Sequence, residues 1–303
     1  MTIKRFYQRL RRKLAHLLGD RRRVARWSNL MASDTLLKVL RKHFSPESLQ
    51  AVSIEINTDC NYKCPFCPQS SFVRPVRYIT RAGFAHVVEA LQHIGFSGSV
   101  VLSVNNEPFL HPLLPEFCKM LSDDLPHAVV LLISNGALIT EQDIVKLAQI
   151  DHPPRVTIDD YTPDHRVIKR MRPWLALPAN QRLSVTFHER SWSESISNRA
   201  GNQPGCSTRV EDYLDIACAW PFGCLFLNPE LKAFLCCSDY RYEMEVGDLN
   251  RQSLMDIWRG EALRRVRAAI MVPDRSKVPL CARCDAEWWH WDGAKSGPKC
   301  RDD

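Results

Sequence analysis

Three cysteines, Cys60, Cys64 and Cys67, lie within eight residues at the spacing C-x3-C-x2-C. Three thiolates on one loop can bind three irons of a 4Fe-4S cube and leave the fourth iron open to a small molecule. A zinc knuckle or three packed cysteines are the other readings. Structural zinc, however, takes four protein ligands, and nothing nearby supplies a fourth. Eight of the twelve cysteines follow from Cys206 onward. With no export signal in the sequence, so many cysteines point to metal ligation rather than a disulfide framework.

The elements that must position these residues follow from periodicity. Short apolar runs at Val52 to Ile56, Val100 to Val104, Ala128 to Ile133, Arg155 to Ile158 and Leu183 to Phe187 read as strands. Helical stretches lie between them: Phe84, Val87, Val88 and Leu91 mark one face. Glu141 to Ile150 form another helix, with Thr140 as N-cap and Asp143 three residues on. A third covers His165 to Leu177, interrupted near Pro173. Alternating β and α units predict a parallel sheet in an α/β fold. Polar segments follow successive strands: Cys60 to Cys67, Asn105 to Pro108, Ser134 to Gly136, and Thr157 to Asp160. Each alone reads as an ordinary turn, but parallel strands bring their C-terminal ends to one mouth, where such sheets bind ligands.

At 303 residues and 45% hydrophobic content, the chain can bury one substantial core and a smaller appendage. The net charge of +7 is unevenly placed, because thirteen Lys and Arg from Lys4 to Lys42 meet only Asp20 and Asp34. Residues 1–44 therefore read as a basic amphipathic helical extension, with Ile3, Phe6, Leu10, Leu14, Leu17 and Leu18 at helical spacing. Such a helix either packs on the body or meets a membrane surface or an acidic partner. Basic charge alone offers nucleic acid only sequence-independent attraction, so no specific nucleic-acid partner is expected. Without a signal peptide or a run of about 18 apolar residues, the expected location is the cytoplasm.

The motifs together resemble the radical S-adenosylmethionine (SAM) superfamily. The resemblance implies a partial (β/α)6 barrel over residues 45–205, and a SAM-binding 4Fe-4S cluster on Cys60, Cys64 and Cys67. On that basis the open iron chelates the amino and carboxylate groups of SAM. Phe66 matches the family's aromatic residue near the adenine. Asn106, Glu107 and Pro108 stand at the GGEP-like motif that binds the methionine amine, with Asn105 and Asn106 replacing its glycines; asparagine tolerates the positive φ such a turn would need. Ser134 and Asn135 resemble the TNG element, and Thr157 and Asp159 the SIDG element that reaches the ribose, with Asp160 in place of its glycine. Arg199, within Ser197 to Asn202, matches an arginine that pairs with the SAM carboxylate.

The order Cys218, Cys236-Cys237, Val246-Gly247-Asp248-Leu249 and Cys281-x2-Cys284 resembles the family's SPASM and twitch domains, implying a small metal-organised domain over residues 206–303. The resemblance gives it an auxiliary 4Fe-4S cluster on Cys218, Cys236, Cys281 and Cys284, with Cys237 as the other choice at the second position. Four thiolates so arranged would also suit a zinc ribbon. Cys118 reads as a core residue. Cys206, Cys224, Cys237 and Cys300 have no assigned ligand role, and Cys224 and Cys237 are candidate hydrogen-atom donors. Trp288, Trp289, His290 and Trp291 read as aromatic packing over this domain.

The implied chemistry starts with a 5'-deoxyadenosyl radical that takes hydrogen from a small-molecule substrate. An auxiliary cluster with four protein ligands has no site for substrate and is suited to accepting an electron, which favours dehydrogenation of a sugar- or cyclitol-like molecule, as in twitch dehydrogenases of aminocyclitols. Flavodoxin or ferredoxin would supply the electron. Epimerisation, peptide maturation and a non-catalytic metal scaffold are the alternatives.

Overall fold

The computed structural model describes residues 21–45, 47–193, 197–203 and 210–286. The readings above for residues 1–20, for Cys206 and Cys300, and for Trp288, Trp289, His290 and Trp291 lie outside these ranges.

Eight strands form one sheet: β1 (Ala51–Ile54), β2 (Ser99–Val101), β3 (Val129–Ser134), β4 (Arg155–Asp160), β5 (Val185–Glu189), β6 (Cys224–Leu227), β7 (Lys232–Phe234) and β8 (Glu245–Asp248). Their order is β5-β4-β3-β2-β1-β6-β7-β8. All pairings from β5 to β6 are parallel, and only β6-β7 and β7-β8 are antiparallel. The sheet is open, with β5 and β8 at its edges. Strand β6 pairs with β1 in the register Ala51 to Cys224 through Ile54 to Leu227, so a segment from the cysteine-rich region completes the parallel sheet.

Helices cover one face. Residues Val52, Ile54, Val100, Leu102, Val130, Leu132, Val156 and Ile158 share one core with Phe84, Phe117, Ile144 and Val167. Phe84 of α2 (Arg81–His93) stacks on Phe117 of α3 (Leu114–Asp124) with ring centroids 4.0 Å apart. Cys118 is fully buried there. Helix α4 (Glu141–Ala148) begins with the Thr140 and Asp143 capping box. Helix α5 (Arg166–Ala176) runs through Pro173 rather than being interrupted at it. The proline lies in the final turn, where only one helical hydrogen bond is lost. Asp160 anchors the start of α5, accepting from Ile168 N at 3.0 Å and from both Thr162 N and Thr162 Oγ1.

The alternate strand residues, among them Ser53, Ile133, Thr157, Asp159 and His188, point to the opposite face, which no described α-helix covers. Their periodicity of two is what the pleat dictates. Helix α1 (Arg21–His43) docks on the body through buried Ser33 and Leu37; Ser33 Oγ accepts from Ala217 N, and Arg41 donates to Met271 O. Two further helices, α6 (Leu254–Trp258) and α7 (Glu261–Met271), bury Trp258 and Ile270 in the same core. No described helix is long and apolar enough to cross a membrane.

Candidate functional site: two cysteine centres at one sheet

The loop carrying Cys60, Cys64 and Cys67 leaves β1 through Asn57, whose Nδ2 donates to the carbonyls of Asp59 and Glu107. Gln69 Nε2 bridges the carbonyls of Thr58 and Asn105. The loop is thus tied to the segment after β2. Burial pushes the Cys60 thiol up to about 11 and the Cys64 thiol up to about 12, and the Cys67 sulfur adds to both by like-charge repulsion. Thiols so crowded ionise readily only beside a cation, which a metal cluster provides. No three His, Cys, Asp or Glu side chains among the described residues converge on a single-ion site.

Neither Asn105 nor Asn106 takes a positive φ. The glycine-like turn expected from their position is therefore absent, and their side chains hold the segment instead. Asn106 Oδ1 accepts from Val104 N at 2.8 Å while its Nδ2 donates to Asn57 Oδ1 at 2.8 Å. Asn105 Nδ2 donates to Cys237 O. Glu107 is 2% exposed, and its carboxylate accepts from Ser134 Oγ at 2.8 Å, Asn135 N at 2.9 Å and Phe109 N at 3.1 Å. Burial outweighs these donors and pushes Glu107 up to about 7. A carboxylate has about four acceptor positions, so Glu107 keeps room for one more donor. Asn135 Nδ2 reaches Asn61 Oδ1 at 2.8 Å, and Gly136 has φ +71° with Val167 and Ile158 packed where a Cβ would stand.

Thr157 and Asp159 share the uncovered face of β4, while Asp160 turns away to cap α5. Asp159 Oδ1 meets His188 Nδ1 at 3.0 Å and Arg190 Nε at 3.6 Å. Phe66 packs on Tyr161 at a centroid distance of 5.4 Å, and Tyr161 and Tyr62 both flank Trp192. Arg199 has φ +49°, and its buried Nε has no hydrogen-bond partner. A buried, unpartnered guanidinium nitrogen suits an anionic ligand such as a carboxylate.

Cys218, Cys236, Cys281 and Cys284 line one pocket, together with Ala200, Trp220 and Arg275. Cys237 does not line it; its carbonyl turns to Asn105, and Arg199 lowers its thiol against the upward push of burial. Burial raises the Cys218 thiol to about 11 and raises Cys236, Cys281 and Cys284 as well. Arg275, 2% exposed, donates to the carbonyls of Ile216, Ala217, Cys284 and Ala286, so one guanidinium braces both cysteine segments. Cys224 is 2% exposed at the N-terminal end of β6, bonded to Ser53 Oγ at 3.3 Å and away from the strand ends that carry the other residues.

Family models match both centres: the radical SAM superfamily over residues 54–176, and an iron-sulfur cluster-binding domain, SPASM, over residues 218–285. The chain belongs to the radical SAM superfamily. Its radical SAM domain lies N-terminal to its SPASM domain, and it is similar to the S-adenosyl-L-methionine-dependent 2-deoxy-scyllo-inosamine dehydrogenase of Niallia circulans. That relative is 23% identical over 238 residues, covering 77% of this chain and 92% of the dehydrogenase. A shorter match, 32% identical over 117 residues, joins 35% of the chain to 31% of an S-adenosylmethionine-dependent nucleotide dehydratase of Oncorhynchus mykiss. The radical SAM fold is shared with the crystal structure of BtrN in complex with AdoMet and 2-DOIA, at TM-score 0.67 and 20% identity over 80% of this chain and 96% of that one. In this radical SAM chain, sequence patterns missed Asn57, Asp160, His188 and Arg275, because single polar residues carry no spacing signal. For His188, alternation along β5 was the available clue.

Proposed function

We propose that this radical SAM enzyme dehydrogenates a small polyol of the cyclitol class, with Cys60, Cys64 and Cys67 holding the SAM-binding cluster and Cys218, Cys236, Cys281 and Cys284 an auxiliary 4Fe-4S cluster. The observation that carries the reading is the convergence of those four cysteines on one pocket behind the mouth of the parallel sheet, in a chain similar over most of its length to a 2-deoxy-scyllo-inosamine dehydrogenase. When bound, the cofactors supply a 5'-deoxyadenosyl radical for hydrogen abstraction and an acceptor for the electron left behind.

This chain's residues do the rest. Glu107 would hold the methionine amine, Arg199 the carboxylate, Phe66 the adenine, and Thr157 the ribose. Asn106, Ser134 and Asn135 orient Glu107 and the loop beside it. Residues 45–205 would form the radical SAM core and residues 206–303 the auxiliary domain, although β6 of the latter extends the core sheet. A flavodoxin or ferredoxin would reduce the enzyme in the cytoplasm, and residues 1–44 remain a candidate contact with a membrane surface or an acidic partner.

Anaerobic turnover with SAM, reductant and ring-deuterated 2-deoxy-scyllo-inosamine tests the reading. Deuterium in 5'-deoxyadenosine together with a ketone product supports it; deuterium with an epimer and no ketone would replace it with a redox-neutral reaction.

A further inference from the structure

Oxidising a secondary alcohol removes more than a hydrogen atom. The hydroxyl proton must also leave, and it needs an acceptor within hydrogen-bond reach of the substrate. On the uncovered face of the sheet, β4 and β5 pair Asp159 directly with His188. The Asp159 Oδ1 to His188 Nδ1 distance is 3.0 Å. A carboxylate can only accept, so Nδ1 carries the hydrogen, and Nε2 of the neutral ring is left as a free acceptor.

The pair stands at the ligand end of the sheet. Asp159 is two residues before Tyr161, which packs on Phe66, the neighbour of Cys67. His188 is about one-third exposed while Asp159 is mostly covered, at 36% and 18% of their side-chain surfaces. That is the arrangement of a reachable base on a held partner. The other charged groups around the pair are Arg190, 3.6 Å from the same Asp159 oxygen, and the Glu189 and His165 contact at 3.8 Å beside it.

We infer that His188 takes the hydroxyl proton of the substrate and that Asp159 is its positioning residue. The inference rests on the dehydrogenase reading above. In the step, the carbon-bound hydrogen leaves as an atom to the deoxyadenosyl radical, and the hydroxyl proton passes to His188 Nε2. The remaining electron would pass to the auxiliary iron-sulfur cluster that Cys218, Cys236, Cys281 and Cys284 would hold, leaving the carbon as a carbonyl. Asp159, placed near the ribose by family resemblance, has Oδ1 engaged by His188 instead.

The test uses reconstituted holoenzyme as wild type, His188→Gln and Asp159→Asn, with SAM and ring-deuterated 2-deoxy-scyllo-inosamine as the probe. Calorimetry without reductant reads probe binding. Turnover reads ketone formed per 5'-deoxyadenosine. In wild type, the probe binds and the ketone ratio is near one. His188→Gln is expected to bind the probe and to keep deuterium transfer, while ketone per deoxyadenosine falls at least tenfold. Asp159→Asn is expected to lower the same ketone ratio while keeping deuterium transfer, because the ring loses the carboxylate that holds its Nδ1. An unchanged ketone ratio in His188→Gln overturns the inference. So does loss of deuterium transfer in that variant with SAM bound normally, which would make His188 a substrate-positioning group. A wild type that neither binds the probe nor labels deoxyadenosine defeats the cyclitol reading, and His188's role with it.

Discussion

Asn105 donates its side-chain amide to the carbonyl oxygen of Cys237 at 2.9 Å, across 132 residues of chain. One end of this bond sits in the segment that continues into Glu107, and the other in the cysteine pair beside the auxiliary pocket. The two centres are therefore joined by a direct bond as well as by the shared sheet. Replacing Asn105 by alanine leaves a carbonyl without its donor in a largely buried setting, at a cost of about 1–3 kcal/mol. Asn105→Gly should cost at least as much, since it restores only the backbone freedom this turn does not use. Thermal unfolding of the reconstituted protein checks both.

Iron content separates the two neighbouring cysteines. The wild type should hold about eight irons per chain and Cys236→Ser about four, while Cys237→Ser should keep all of them, given four irons per cube. Changing Cys60, Cys64 and Cys67 together to alanine should also leave about four. Iron and sulfide analysis after anaerobic reconstitution reads each result, and loss of iron from Cys237→Ser alone would reverse the ligand choice.

Glu107 makes stability depend on pH. Burial lifts its carboxyl from the ordinary 4.5 to about 7. A raised carboxyl binds its proton more tightly in the folded state, so its stabilising contribution is complete below pH 4.5 and is lost as pH rises towards 7. The stability of Glu107→Gln relative to wild type should therefore grow by about 3 kcal/mol between pH 4.5 and pH 7.5, at 1.36 kcal/mol per unit. Denaturation of SAM-free protein across that range measures it.

Gly136→Ala should be strongly destabilising. The added Cβ would lie 2.6 Å from Val167 Cγ1 and 2.9 Å from Ile158 Cγ2, on a backbone at φ +71°. Left-handed strain and overpacking together amount to about 2–4 kcal/mol. The same backbone turn presents Ser134 and Asn135 to Glu107. SAM affinity should fall with stability, as equilibrium binding would record.

Features repeated at fixed spacing were legible in the sequence. The spacing of Cys60, Cys64 and Cys67 singled out the loop after β1, and the short apolar runs at Ala128 to Ile133 and Arg155 to Ile158 announced strands that meet a helical layer. Individual polar contacts were not legible. Asp160 looked like a changed glycine and is instead the cap of α5, a role set by where Ile168 N lies in three dimensions. Asn105 and Asn106 looked like tolerant turn residues, yet their side chains do the holding. The pairing of β6 with β1 was equally hidden, because a four-residue apolar run announces a strand without naming its neighbour.

That pairing sets an order of events during synthesis. Strand β1 emerges from the ribosome among the first parts of the sheet, but its neighbour β6 follows about 170 residues later. Until then one edge of β1, with its row of amide and carbonyl groups, stays open to other chains. A nascent or truncated chain ending before Cys224 would carry the first cysteine loop on a sheet still missing a central strand. Secure closure around that loop must wait until β6 has emerged, so cluster delivery before that point would meet a half-built cradle.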